Sequence, residues 1–356
     1  LEKKAMLLFE DKDSKIVKSP SYNFYFRKSD GFFARWGKTK EEDPNFSPYG
    51  SEILDIEVTT ICDGVKQVDG KEAPCRFCYK SNTSNGKNMS FETFKSVIDK
   101  FPKVDEHWVL TQIAFGADSH ATSNPDLWKM MKYSRSIGII PNITVADISD
   151  ETADNLAKYC GAVAVSRYAN KDLCYDSVKR LTDRGMTQVN IHILVSSETE
   201  EMVWETLRDR LADPRLAKLN AIVLLSLKKK GRGRTFTQLP FENFQKIVRF
   251  ALENKIGVGF DSCSCPKFLA SVQDRPDYAK LSMVSEPCES SCFSFFINVE
   301  GKGFPCSFAE KTEGWEEGMD IIDSKDFIRD VWNNERMVSF RDSLLRCHRN
   351  CPLYQI

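Results

Sequence analysis

Ile53-Leu-Asp-Ile-Glu-Val58 is a short apolar run, and Cys62 stands four residues beyond it. Its length and aliphatic content predict a buried strand. After twelve intervening residues comes Cys75-Arg-Phe-Cys78, followed at once by Tyr79. Three thiolates in one loop leaving a strand end can hold three irons of a [4Fe–4S] cube and leave the fourth iron open to another ligand. The intervening Asp63-Gly-Val-Lys-Gln-Val-Asp-Gly-Lys-Glu-Ala-Pro74 carries two Asp-Gly pairs and a proline, the composition of a turn-rich excursion between two ligands. Zinc is the alternative, but it wants four protein ligands, commonly as paired C-x2-C units, and the next cysteine after Cys78 is Cys160. Twelve cysteines in 356 residues are too sparse for a disulfide scaffold.

Working outward, residues 51–270 alternate apolar runs with amphipathic stretches. Strands are expected at Ile53–Val58, Val109–Phe115, Ile139–Val145, Ala162–Ser166, Gln188–Val195 and Ala221–Leu227, with Gly257–Phe260 as a possible extension. Helices are expected at Phe91–Phe101 behind a Ser90 cap, at Asp126–Ser136 after Asn124-Pro125, and from Ser149 through Tyr159. Asp172–Arg184, Glu200–Leu211 and Phe241–Asn254 complete the series. Strand-then-helix units with short connections imply parallel strands and right-handed crossovers. The expected fold class is α/β, an open partial (β/α)6 TIM barrel with a small C-terminal α+β cluster-binding domain. Chemistry in such parallel architectures sits at the carboxyl ends of the strands, where Cys62 falls.

Residues 1–50 are polar and aromatic and read as a cap with a small hairpin turning at Asp30-Gly31. The remaining boundaries are 51–270 for the barrel and 271–356 for the C-terminal domain. Hydrophobic residues make up 41% of the chain and charged residues 28%, and 50 Lys and Arg nearly balance 51 Asp and Glu. That balance points to no particular partner. No apolar run is long enough to cross a bilayer. The opening Leu1-Glu-Lys-Lys-Ala-Met resembles no targeting peptide. The many unpaired-looking cysteines suggest a reducing cytoplasm.

The cysteine triplet after the first strand resembles that of the radical S-adenosylmethionine superfamily. The family's commonest spacing is C-x3-C-x2-C, whereas here it is C-x12-C-x2-C. Stretching the loop costs only about 1 kcal/mol of extra closure entropy. The resemblance implies that Cys62, Cys75 and Cys78 bind the first cube and that S-adenosylmethionine chelates its open iron. Reductive cleavage then releases a 5′-deoxyadenosyl radical. Gly116-Ala117-Asp118 stands where the family has Gly-Gly-Glu, so Gly116 and Asp118 are implied to receive the methionine ammonium, with aspartate one methylene shorter than glutamate. Phe77 and Tyr79 are implied to bracket adenine, mainly through the backbone around Tyr79. After the fourth strand, Ser166 and Arg167 are candidates for the cofactor's ribose or carboxylate, since a guanidinium pairs bidentately with a carboxylate; a surface arginine and a turn serine are the plain alternative. His192 alternates with Ile191 and Ile193 and is a further cofactor-side candidate, or a satisfied core polar group.

The segment after residue 271 holds Cys288, Cys292, Cys306, Cys347 and Cys351, with a hairpin expected near Gly301 and helical stretches near Phe327–Asn333 and Met337–Leu345. The order Cys288, Gly301, Cys306 resembles the opening of the SPASM extension, here shortened to the form called twitch. The resemblance implies one auxiliary [4Fe–4S] cluster on Cys288, Cys306, Cys347 and Cys351, with Cys292 alternate to Cys288; a four-cysteine zinc site is the rival. Cys263 and Cys265, near the expected mouth, are weak catalytic candidates or ligands, and otherwise small buried side chains. Cys160 and Cys174 are expected to be inert. Lys228-Lys-Lys-Gly-Arg-Gly-Arg234 offers five cations at a strand end, either for phosphate or carboxylate or as a solvated loop.

The expected function is hydrogen abstraction from a peptide or protein side chain, with two [4Fe–4S] clusters, S-adenosylmethionine and an electron donor such as a flavodoxin or ferredoxin. Radical modification of a nucleotide or nucleic-acid base is one alternative. A non-catalytic zinc- or iron–sulfur-binding protein is another.

Overall fold

The computed structural model describes residues 6–356; residues 1–5, part of the stretch read as carrying no targeting signal, lie outside the described residues. The chain opens with four antiparallel strands in sequential order, β1 (Leu7–Glu10), β2 (Ser14–Lys18), β3 (Asn23–Arg27) and β4 (Phe33–Trp36). The expected turn at Asp30-Gly31 joins β3 to β4, with Gly31 at φ +75°. The second strand was hidden from the sequence by an inward lysine. Lys15 is fully buried beside Val17 and donates its Nζ to the carbonyl oxygens of Trp108 and Leu110, each at 2.8 Å. A charge on the inner face breaks the alternation by which a half-buried strand is recognised.

Strand β5 (Ile53–Glu57) begins the main sheet. Two small hairpins follow, β6 (Val65–Lys66) with β7 (Glu72–Ala73), and β8 (Lys103–Val104) with β9 (His107–Trp108). The sheet resumes with β10 (Gln112–Gly116), β11 (Ile140–Val145), β12 (Ala162–Ser166), β13 (Val189–Val195), β14 (Ala221–Ser226) and β15 (Val258–Phe260). Each pairs in parallel with its predecessor, β10 with β5. Between them run α1 (Phe91–Ile98), α2 (Leu127–Ser136), α3 (Asp150–Tyr159), α4 (Lys171–Asp183), α5 (Glu200–Ala212) and α6 (Phe241–Glu253). Ser90 and Ser149 cap α1 and α3 by accepting from Thr93 and Thr152 N–H. Helix α6 shows why these segments fold onto the sheet. Phe244, Ile247, Val248 and Ala251 form one buried face at helical spacing, and each large side chain among them contributes about 1.5–3 kcal/mol on burial.

Two helices went unread, α7 (Cys265–Val272) and α8 (Tyr278–Met283). The first carries its own signal, Pro266 in the opening turn with Phe268 and Val272 buried four apart. The C-terminal hairpin is β16 (Ser294–Ile297) and β17 (Lys302–Phe304), reversing at Gly301 with φ +76°. It does not stand apart from the main sheet. Strand β16 pairs in parallel with β5, Leu54 opposite Phe295 and Ile56 opposite Ile297, and β18 (Met319–Asp320) closes that edge. The sheet therefore has ten strands, in the order β15-β14-β13-β12-β11-β10-β5-β16-β17-β18. The last helix, α9 (Glu335–Arg346), follows a π-helical turn at Ile328–Trp332. Among the described residues, no helix is long and apolar enough to cross a membrane.

Candidate functional site

Residues 63–74 form a hairpin rather than an open loop. Gln67 N–H donates to Lys71 O at 2.8 Å and Gly70 N–H to Gln67 O at 3.0 Å, closing the turn of β6–β7. Gly64, at φ +100°, lies so close to the returning strand that a methyl group there would sit 2.0 Å from Ala73 O. The excursion thus ends where it began and returns Cys75 to the neighbourhood of Cys62. Cys62, Cys75 and Cys78 line one cavity of about 630 Å³, together with residues from β5 and β10 through β14. Burial, foremost, pushes the Cys75 thiol up to about 11; its neighbours Cys78 and Cys62 act in the same direction and a hydrogen bond with Tyr168 opposes them.

The basic run after β14 holds this cysteine loop. Arg232 donates Nε to Cys75 O at 2.8 Å, its backbone N–H to Cys78 O at 3.0 Å, and its guanidinium reaches Asn82 O. Lys230 donates to the carbonyl oxygens of Phe308 and Glu310 at 3.1 and 2.6 Å. Lys228 is buried against Asp261. Three of the five cations therefore have internal partners, and Lys229 and Arg234 remain exposed. Gly231, at φ +55°, passes so close that a Cβ would lie 2.5 Å from both Cys78 O and Tyr79 O. Gly231→Ala should destabilise the fold by about 2–4 kcal/mol, because backbone lies on one side and a left-handed φ on the other. A denaturant midpoint unchanged from wild type would remove this clamp from the account.

Gly116 and Asp118 line the same cavity. The Asp118 carboxylate accepts backbone N–H groups from Thr122 at 3.1 Å, Ser123 at 3.0 Å and His120 at 3.2 Å, so much of its acceptor capacity shapes its own loop. Arg167 is buried and bonds Glu205 Oε2 at 2.6 Å and Tyr168 O, while its Nε has no partner among the described residues. Ser166 and His192 also line the cavity, and burial pushes the imidazole down to about 4, so it is neutral at physiological pH. Phe77 packs against Tyr168 and Phe236 at centroid distances of 5.6 and 5.7 Å, and Tyr79 stacks on Phe308 at 4.3 Å. Tyr168 is the residue sequence reading missed. Its buried hydroxyl meets the Cys75 thiol and Ser166, and burial raises its ionisation well above the ordinary tyrosine value. The available signal was its place, two residues past a strand end already under suspicion.

A second cavity of about 210 Å³ is lined by Cys263, Cys288, Cys306 and Cys351. Cys263 neighbours both Cys288 and Cys351, and interaction among the three thiols drives the proton affinity of Cys263 up and that of the other two down. Burial pushes Cys306 up to about 12. Cys347, expected in this group, is instead exposed. The Cys347-x3-Cys351 spacing suggests one helical face, but α9 ends at Arg346 and His348 and Arg349 reverse the chain at φ +52° and +59°. Cys292 and Cys265 are fully buried elsewhere, and neither lines this cavity. Cys160, just past the end of α3, and Cys174, within α4, are buried, and desolvation pushes each up to about 12. Among the described residues, no three His, Cys, Asp or Glu side chains converge closely enough to hold a single metal ion. Sulfurs that bind a cube are spread around its faces, wider than the ~2.3 Å Zn–S shell of one ion allows.

Asp55 lines both cavities, as do Lys228, Asp261, Ser307 and Phe308. Burial raises the Asp55 carboxyl from 3.8 to about 6. A folded value above the unfolded one means stability is lost as pH rises from about 4 to about 6, then stays lowered by up to about 3 kcal/mol. Asp55→Asn should accordingly raise the denaturant midpoint of the metal-free chain at pH 8 and leave it unchanged near pH 3. Equal midpoints at both pH values would show that water within the cavity solvates the carboxylate fully. No family model matches this chain, and no curated protein matches it.

Proposed function

We propose that this protein is a radical S-adenosylmethionine enzyme, its parallel strands forming a partial (β/α)6 barrel whose carboxyl ends carry the reaction. The single observation behind this reading is the meeting of Cys62, Cys75 and Cys78 in one cavity that opens onto six parallel strands. Three thiol donors with no fourth cysteine among the described residues lining the cavity suit a cube with an open iron better than a closed zinc site. Bound there, cluster and S-adenosylmethionine would supply a 5′-deoxyadenosyl radical able to take hydrogen from an unactivated carbon.

The chain's own residues then bind and orient. Arg167 has an unpartnered guanidinium N–H to offer the cofactor's carboxylate. Gly116 and the backbone beside it can approach the methionine ammonium, with Asp118 fixing the loop. The Tyr168 hydroxyl and the Arg232 clamp hold the Cys75 segment in place. Cys75 must release its proton to ligate, so cluster loading should fall as pH drops. Cys263, Cys288, Cys306 and Cys351 form the donor set for an auxiliary [4Fe–4S] cluster, with Cys263 in place of Cys347.

The auxiliary set favours a peptide or protein side chain as substrate. The internal partners of Lys228, Lys230 and Arg232 leave little of the basic run for a nucleic acid. An external one-electron donor such as a flavodoxin or ferredoxin is required, and a reducing cytoplasm suits free thiols. The test is anaerobic reconstitution followed by iron, sulfide and zinc analysis and dithionite-driven cleavage of S-adenosylmethionine. About eight irons per chain and formation of 5′-deoxyadenosine are expected. A chain free of iron, or one that never yields the nucleoside, overturns the proposal.

A further inference from the structure

The charged groups lining the larger cavity almost all have partners already. Glu57 faces Lys80 at 3.2 Å, Lys228 meets Asp261, and Arg167 meets Glu205 at 2.6 Å. Arg232 is taken up by carbonyl oxygens and Asp118 by backbone N–H groups. Asp55 is the exception. Its carboxylate has no hydrogen-bond or ion-pair partner among the described residues, and its ladder neighbours are Ala114 on one side and Phe296 on the other. It sits in mid-strand on β5, which runs between the two cysteine-lined cavities and contributes to the wall of both.

A carboxylate without a partner on a partly buried strand is costly, and the partner that relieves it best is a full positive charge. The surrounding rings suit one as well. Phe296 and Phe308 each already have an ammonium, Lys80 and Lys228, at 5.0 Å from the ring centroid. Both of those ammonium groups have carboxylates of their own, whereas Asp55 has no cation of its own.

We infer that Asp55 is the substrate-recognition residue of this site, and that the substrate is a peptide or protein segment whose lysine or arginine side chain its carboxylate receives at the seam between the two cavities. This rests on the proposed function above and narrows its substrate class.

The test is equilibrium dialysis of the iron-loaded full chain, under anaerobic conditions, against Nα-acetyl-lysine N-methylamide, its arginine counterpart and the neutral norleucine isostere. A cationic probe should bind about tenfold or more tightly than norleucine, as expected for a charged hydrogen bond. Asp55→Asn should erase that preference and Asp55→Glu should keep part of it. Equal binding of all three probes, no binding of either cationic probe, or an undiminished preference in Asp55→Asn each overturns the inference. So does a preference that vanishes when S-adenosylmethionine saturates the site, since Asp55 would then serve the cofactor's own cations. Failure of the proposed function looks different: the chain would hold no iron and cleave no cofactor, whatever the probes do.

Discussion

Cys75→Ala or Cys78→Ala should reduce the iron content of reconstituted protein from about eight to about four per chain and abolish 5′-deoxyadenosine formation. A cube left with two protein thiolates loses both an anchor and the asymmetry that reserves one iron for the cofactor. The second cysteine group lies in its own cavity, so its iron should survive. Misfolding is a poor explanation for such a loss, because both residues are only partly buried and removing a partly buried thiol creates little cavity. Iron quantification and nucleoside chromatography on the same samples provide the measurement. Turnover retained in either variant would strike these residues from the ligand set. Loss of all eight irons would show instead that the two sites assemble as one.

The second large effect separates two cysteines that sequence reading ranked the other way. Cys263→Ser should lose the auxiliary iron, about four per chain, while Cys347→Ser keeps it. Cys263 lines the smaller cavity together with Cys288, Cys306 and Cys351, whereas Cys347 is exposed beyond the end of α9. Serine is nearly isosteric with cysteine, so the comparison reports donor chemistry rather than packing. Both variants should keep the first cluster and its visible absorption. If Cys347→Ser loses iron and Cys263→Ser does not, the tail must rearrange on loading. About one zinc per chain in place of the lost iron would identify the group as a structural zinc site.

How far each feature could be read depended on how local its cause is. The alternating strands and helices between residues 53 and 260 were legible because apolar periodicity and serine caps act within a few residues. The bounds of β12 came out residue for residue, and those of α3 within one residue, Ser149 being its cap. The Asp63–Pro74 excursion was legible as turns, since Asp-Gly pairs state their own backbone preference, but its closure against Ala73 was not. The basic run looked like an anion site because charge alone was visible. Its partners are mostly main-chain oxygens more than 70 residues away, which side-chain sequence does not encode. Strand β2 was lost because Lys15 finds buried acceptors on a segment more than 90 residues distant.

By itself, the sequence determined which residue types stand at the strand ends. Thiols at short spacing after a strand, a carboxylate after the next strand and an arginine after the fourth are properties of composition and order. The tertiary structure alone decided which of them meet. Pairing of β16 with the free edge of β5 brings the two cysteine groups to adjoining cavities and leaves Asp55 at their common wall. That pairing joins segments about 240 residues apart, and only burial of both strands in one sheet selects it, because no local preference records a partner so far along the chain.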